Sequence, residues 1–253
     1  MKAQKGLVIS VMVILGLVCT NSSALAREKS RSGTYKGKKT SGTFEKDTQR
    51  SKGKASRSTT WQNEKGQGSQ QSQGNWDRKS GTGDYSSSTT TATGKTRKKS
   101  GTVTRTGKGS YSQEGTITGP KGKTTQVQGT STKNKDSSRS VSKTYTTEAG
   151  KTVEVDKTIQ KTDTGRTVEG TYSTSTGKNG TIESTRTFSE GTASTQKSVT
   201  NQDGQTWQKD IETTRDGSTI TRDVTTTNPQ GQTHNYTQNA TFDTNTIDEQ
   251  ESD

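Results

Sequence analysis

The chain has 253 residues, 19% of them hydrophobic and 25% charged, with a formal net charge of +13. So small an apolar supply excludes an ordinary packed globular core, and a single cysteine, Cys19, excludes a disulfide framework. One histidine, no phosphate-cradling glycine loop and no Gly-x-Ser-x-Gly elbow exclude the common catalytic and nucleotide-binding designs.

Residues 1–26 read as a secretory signal peptide. Lys2 and Lys5 give a positive start, Gly6 to Val18 give an apolar run, and Ala24-Leu25-Ala26 gives the small-x-small cleavage pattern. The expected mature chain begins at Arg27, which places the protein outside the cytoplasm, secreted or periplasmic. The apolar run is too short to span a bilayer. Lipid attachment at Cys19 is disfavoured by Val18, which stands where a small residue is normal.

Residues 27–100 form a basic region of Ser, Thr, Gly and Lys, low in complexity and expected to be partly disordered. It contains an echo: Gly33-Thr34-Tyr35 and Gly42-Thr43-Phe44 match Gly74-Asn75-Trp76 and Gly83-Asp84-Tyr85, with the same nine-residue aromatic spacing in both pairs. Its charges make the chain lopsided, +18 over residues 27–143 and −7 over 144–253.

Residues 101–243 carry turn signals at steady intervals, among them Glu148-Ala149-Gly150, Asp163-Thr164-Gly165, Lys178-Asn179-Gly180, Asp203-Gly204 and Asp216-Gly217. Thr-rich segments lie between them, and Thr, being β-branched, favours strands. Apolar residues keep one parity within each segment: Val153, Val155 and Ile159; Val168 and Tyr172; Trp207 and Ile211; Ile220 and Val224; Tyr236, Ala240 and Phe242. The expected fold is all-β, an irregular antiparallel meander or single-layer repeat sheet with open edges. Lys157, Lys161, Arg186, Lys209 and Arg222 are expected to guard those edges against aggregation. An acidic tail, residues 244–253, follows.

Glu154 with Asp156, and Asp210 with Glu212, each share a strand face and read as a solvated surface rather than an acid–base pair. The expectation is therefore a non-enzymatic, exported structural or adhesive protein, without a cofactor, metal or small-molecule substrate. Its partner would be an envelope or matrix component. A second reading is a polycation that binds acidic polymers, polysaccharide or nucleic acid, through residues 27–143. There Tyr35, Trp61, Trp76 and Tyr85 would stack, and Lys38, Lys39, Arg97, Lys98 and Lys99 would supply charge. A third reading is a largely disordered coat or spacer.

Overall fold

The computed structural model describes residues 27–36 and 40–242. Ala24 and Ala26 of the cleavage pattern, Lys38 and Lys39, and the tail 244–253 lie outside the described residues. Sixteen strands follow one another: β1 (Arg27–Lys36), β2 (Ser41–Ser51), β3 (Lys54–Asn63), β4 (Gly66–Asp77), β5 (Thr82–Thr90), β6 (Thr96–Gly107), β7 (Ser110–Thr118) and β8 (Thr124–Lys133). They continue as β9 (Arg139–Thr147), β10 (Thr152–Thr162), β11 (Gly165–Thr174), β12 (Asn179–Ser189), β13 (Thr192–Asn201), β14 (Thr206–Asp216), β15 (Thr219–Thr227) and β16 (Thr233–Phe242). Every strand pairs antiparallel with its neighbours in sequence, and β1 pairs with β16 to close a barrel. The meander is as expected; the open edges are not. A single sheet with one apolar face can hide that face only by curling onto itself, and closure removes the exposed edges as well.

Strands also occupy the segment expected to be partly disordered, and the internal echo explains how so polar a sequence pairs. In the β1–β2 hairpin Gly33 lies opposite Phe44 and Tyr35 opposite Gly42. In β4–β5 the same reciprocal pattern sets Gly74 opposite Tyr85 and Trp76 opposite Gly83. Each ring is thus set opposite a glycine across its hairpin, and the Trp76 ring lies directly over Gly83. The space is used fully: a Cβ on Gly83 would come within 2.7 Å of the Trp76 ring, and one on Gly68 would collide with the Trp61 indole. The nine-residue spacing is the signature of a hairpin that sets two rings opposite two glycines.

From β5 onward, the turns at one rim, which join each odd strand to the next even one, share a single construction. Thr91–Lys95, Gly119–Lys123, Thr147–Lys151, Thr174–Lys178, Asn201–Gln205 and Asn228–Gln232 each close with a 2.8–3.0 Å backbone bond from the first N–H to the last carbonyl. In each, the fourth residue is a glycine with φ between +72° and +82°, a conformation that side chains resist. These glycines, at 94, 122, 150, 177, 204 and 231, recur every 27–28 residues, so the repeat is one hairpin. One expected turn is corrected. Gly177, not Gly180, makes the turn, and Asn179-Gly180 opens β12, with Gly180 lying against the Tyr172 ring.

All the apolar parities noted above point inward. Val127, Val141, Val155 and Val224 are the buried hydrophobic residues, and Val224 is the most enclosed at 1% exposure. Val224→Ala should therefore cost about 2 kcal/mol, since the removed methyls leave a cavity that a paired sheet cannot collapse into. Urea unfolding followed by tryptophan fluorescence would read this as a lower midpoint with an unchanged slope.

A cationic inner face as candidate functional site

The two faces of the sheet differ sharply in charge. On the strands, every outward position is Thr, Ser, Asn, Gln, an acid, one of three lysines (Lys36, Lys54 and Lys98) or Gly165. Glu154, Asp156, Asp210 and Glu212 are among the outward acids, as expected of a solvated face. Inward strand positions from Lys29 to Phe242 hold nineteen Lys and Arg, and not one Asp or Glu. The five residues expected as edge guards, Lys157, Lys161, Arg186, Lys209 and Arg222, are all inward. The closed barrel has no edge for them to guard.

Register places many of these cations directly against one another. Arg31 faces Lys46, Lys133 faces Arg139, Lys161 faces Arg166, Arg166 faces Arg186, and Lys197 faces Lys209. Directly opposed like charges destabilise a sheet. Neutral groups and rings take up part of the hydrogen-bonding and charge: Lys143 Nζ donates to Gln113 Oε1 at 3.1 Å, Gln113 Nε2 to the Tyr85 hydroxyl at 2.7 Å, and Arg222 Nη1 to Gln238 Oε1 at 3.1 Å. Lys99 lies over the Tyr85 ring at 5.7 Å and Arg139 over Tyr111 at 6.0 Å, favourable cation–ring contacts. The Arg186 guanidinium lies 4.6 Å from the Phe188 ring, and its buried Nε has no hydrogen-bond partner among the described residues.

This crowding holds five lysines below their ordinary pKa. Burial is the main cause for Lys46, Lys99, Lys143, Lys157 and Lys197, and other cations add to it. Arg57 and Arg31 act on Lys46, Arg97 on Lys99, and Lys99 and Lys157 on Lys143. Lys197 acts on Lys157, while Lys209, Arg166, Arg222 and Arg186 act on Lys197. A lysine that binds its proton less tightly when folded lets the unfolded chain hold more protons, so stability rises with pH. The destabilisation is full at neutral pH and fades as the solution approaches about pH 10, where unfolded lysines also deprotonate. Burial and Tyr85 raise the Tyr145 hydroxyl, whose opposite effect begins only above that range. The urea midpoint should therefore be higher at about pH 9.5 than at about pH 7. A flat or falling profile would mean that the inner cations are not crowded.

The expected binding residues divide. Arg97 and Lys99 are inward on β6, and Lys98 between them is outward. Tyr35, Trp61, Trp76 and Tyr85 are all inward, but they serve as sheet anchors. Trp61 covers Gly68, Trp76 covers Gly83 and meets Tyr111 at 6.0 Å, Tyr85 covers Gly101 and Gly115, and the Tyr35 hydroxyl accepts from Asn63 Nδ2 at 3.0 Å. The unpacked apolar groups are elsewhere: Phe188 at 51%, Trp207 at 46% and Val199 at 37% exposure, all inward on β12–β14. His234, the sole histidine, is exposed on β16 with its ring 6.3 Å from Tyr236.

Sequence reasoning missed that cations throughout the chain join this face. The signal was present as phase: Lys157 falls in step with Val153, Val155 and Ile159, Lys209 with Trp207 and Ile211, and Arg222 with Ile220 and Val224. No family model, curated protein or solved structure matches the chain.

Proposed function

We propose that this is an exported, non-enzymatic barrel that binds acidic polymers along its inner face. The observation that carries the reading is the sorting of charge by face: nineteen inward Lys and Arg with no inward acid. Opposed cations without counter-charge raise the energy of the empty barrel, and a polyanion laid along them lowers it while releasing counterions. Binding draws on both halves of the chain, because Lys157, Lys197, Lys209 and Arg222 line the same face as Lys46 and Lys99. A sixteen-stranded barrel is wide enough to keep an open lumen. The polar outer face lacks the apolar band of a membrane barrel and suits a barrel standing in water.

The test is binding of polygalacturonate and of dextran sulfate across a range of salt concentrations. Affinity should fall steeply with salt for both. Replacing the outward Lys54 and Lys98 by Gln should leave it nearly unchanged, whereas replacing the inward Lys143 and Lys209 should weaken it about tenfold. Equal loss from both pairs would place binding on the outside and overturn the reading.

A further inference from the structure

The inner face is not uniform, and one region of it has features of a specific subsite. On β13–β14, Val199 faces Trp207 and, two residues along, Lys197 faces Lys209. Directly opposed residues of an antiparallel pair hold their Cβ atoms about 5 Å apart, so these four side chains form one compact patch. Arg186 on β12 faces Thr195, which places it diagonally beside Lys197. The patch combines two unmet needs, an indole left 46% exposed and two opposed ammonium groups, and the Arg186 guanidinium lies beside them. Other inward rings, Trp61, Trp76, Tyr85 and Tyr172, are occupied by glycines of neighbouring strands.

We infer that Trp207, Lys197, Lys209 and Arg186 form a subsite for a carboxylated sugar ring, a uronate unit of an acidic polysaccharide. This rests on the polymer-binding reading and names its ligand. The C–H face of a pyranose covers the exposed indole and Val199. Its carboxylate sits between Lys197 and Lys209, and Arg186 donates to an oxygen of the adjoining unit. Nucleic acid fits less well, because sequence-tolerant strands need a succession of free stacking rings. Here Trp207 has an aliphatic neighbour, and the next exposed ring, Phe188, already has one face taken by the Arg186 guanidinium.

Tetragalacturonate, maltotetraose and a twenty-nucleotide oligo-dT are the probes, titrated into the full mature chain with tryptophan fluorescence and calorimetry as readouts. Tetragalacturonate should bind and shift the emission. Trp207→Leu should abolish the shift and cost at least tenfold in affinity, while Trp207→Tyr should restore most of the affinity. Lys197→Gln with Lys209→Gln should cost tenfold or more, and maltotetraose should not bind. Trp207 is half exposed and its loss leaves the pairing intact, so amide dispersion of the Leu variant should match the parent. If polygalacturonate binds the inner face but Trp207→Leu changes nothing, the subsite is wrong and the polymer reading stands. If oligo-dT binds tighter with the same residue dependence, the ligand class is wrong. Absence of binding by every polyanion would overturn both.

Discussion

Replacing Lys157 and Lys197 by Gln will make the barrel more stable at low ionic strength and a poorer ligand for polyanions. Both side chains are held below their ordinary pKa by burial and by other cations, and no inward acid offsets either one. Removing them relieves like-charge repulsion, of Lys197 with the opposed Lys209 and of Lys157 with Lys197, worth roughly 1 kcal/mol in total after solvent screening. For a chain of this size that corresponds to an increase of about 2–4 °C in Tm. High salt should shrink the gain, because it already screens the parent. Polyanion affinity should fall about tenfold, and the salt slope should flatten by one to two. A structural lysine would behave oppositely, with its loss lowering Tm and leaving the slope alone. Paired melting curves at low and high salt, with a binding isotherm at each, separate the two.

The opposite signs of these effects follow from how the sheet distributes its residues. Thr, Ser and the acids form an outer surface that needs nothing beyond water. The inner surface gains apolar contact from Val127, Val155 and Val224 and loses part of it to crowded charge. A chain selected for stability alone would place acids among its inward cations, as the outer face could readily spare them. Their exclusion from every inward strand position among the described residues is the feature on which the proposed binding of polyanions rests.

Parity and turn chemistry made the second half legible before the structure did. Val153, Val155 and Ile159 alternate with Thr, Glu and Asp, and a glycine follows at each turn, so strand and face were fixed locally. Closure was not legible, because pairing of β1 with β16 depends on accumulated curvature across all sixteen strands and on residues some two hundred positions apart. The hairpin period was hidden for another reason. Turns at the second rim, such as Asp163-Thr164 and Glu190-Gly191, vary in length and fall between those of the first. Read as one series, the turns show no repeat longer than a strand; the glycines of the first rim alone recur every 27–28 residues. The sequence of the first half suggests partial disorder because its strands hold few apolar groups. The reciprocal pairs that set a ring opposite a glycine become visible only in register. Its cation clusters were read as a basic half, whereas the division runs between faces: Lys99 and Lys157 belong to one surface although they lie in halves of opposite net charge.

Gly33→Val should be the most damaging single change, because it strikes the seam. Among the described residues the β1–β16 pairing runs from Gly33 opposite Phe242 to Lys36 opposite Asn239. A Cβ at Gly33 would collide with the Thr241 carbonyl oxygen and lie 2.9 Å from its carbon and 3.1 Å from the Phe242 Cα, all backbone atoms that cannot rotate aside. Phe242 is also held there by its neighbours, edge-on to Phe44 at 5.5 Å and beneath the Arg31 guanidinium at 5.5 Å. A valine would therefore force β16 away and take this ring cluster with it, at a cost of about 3 kcal/mol. That is roughly 6–12 °C in Tm. Hydrogen exchange should show amides of β1 and β16 losing protection while β8–β10, on the far side of the barrel, keep theirs. Once opened, the seam exposes two unpaired edges, so the variant should also associate at concentrations where the parent stays monodisperse. Protection lost evenly around the barrel would mean that closure depends on no single seam. Unchanged protection and Tm would mean that β1 and β16 are not joined at Gly33.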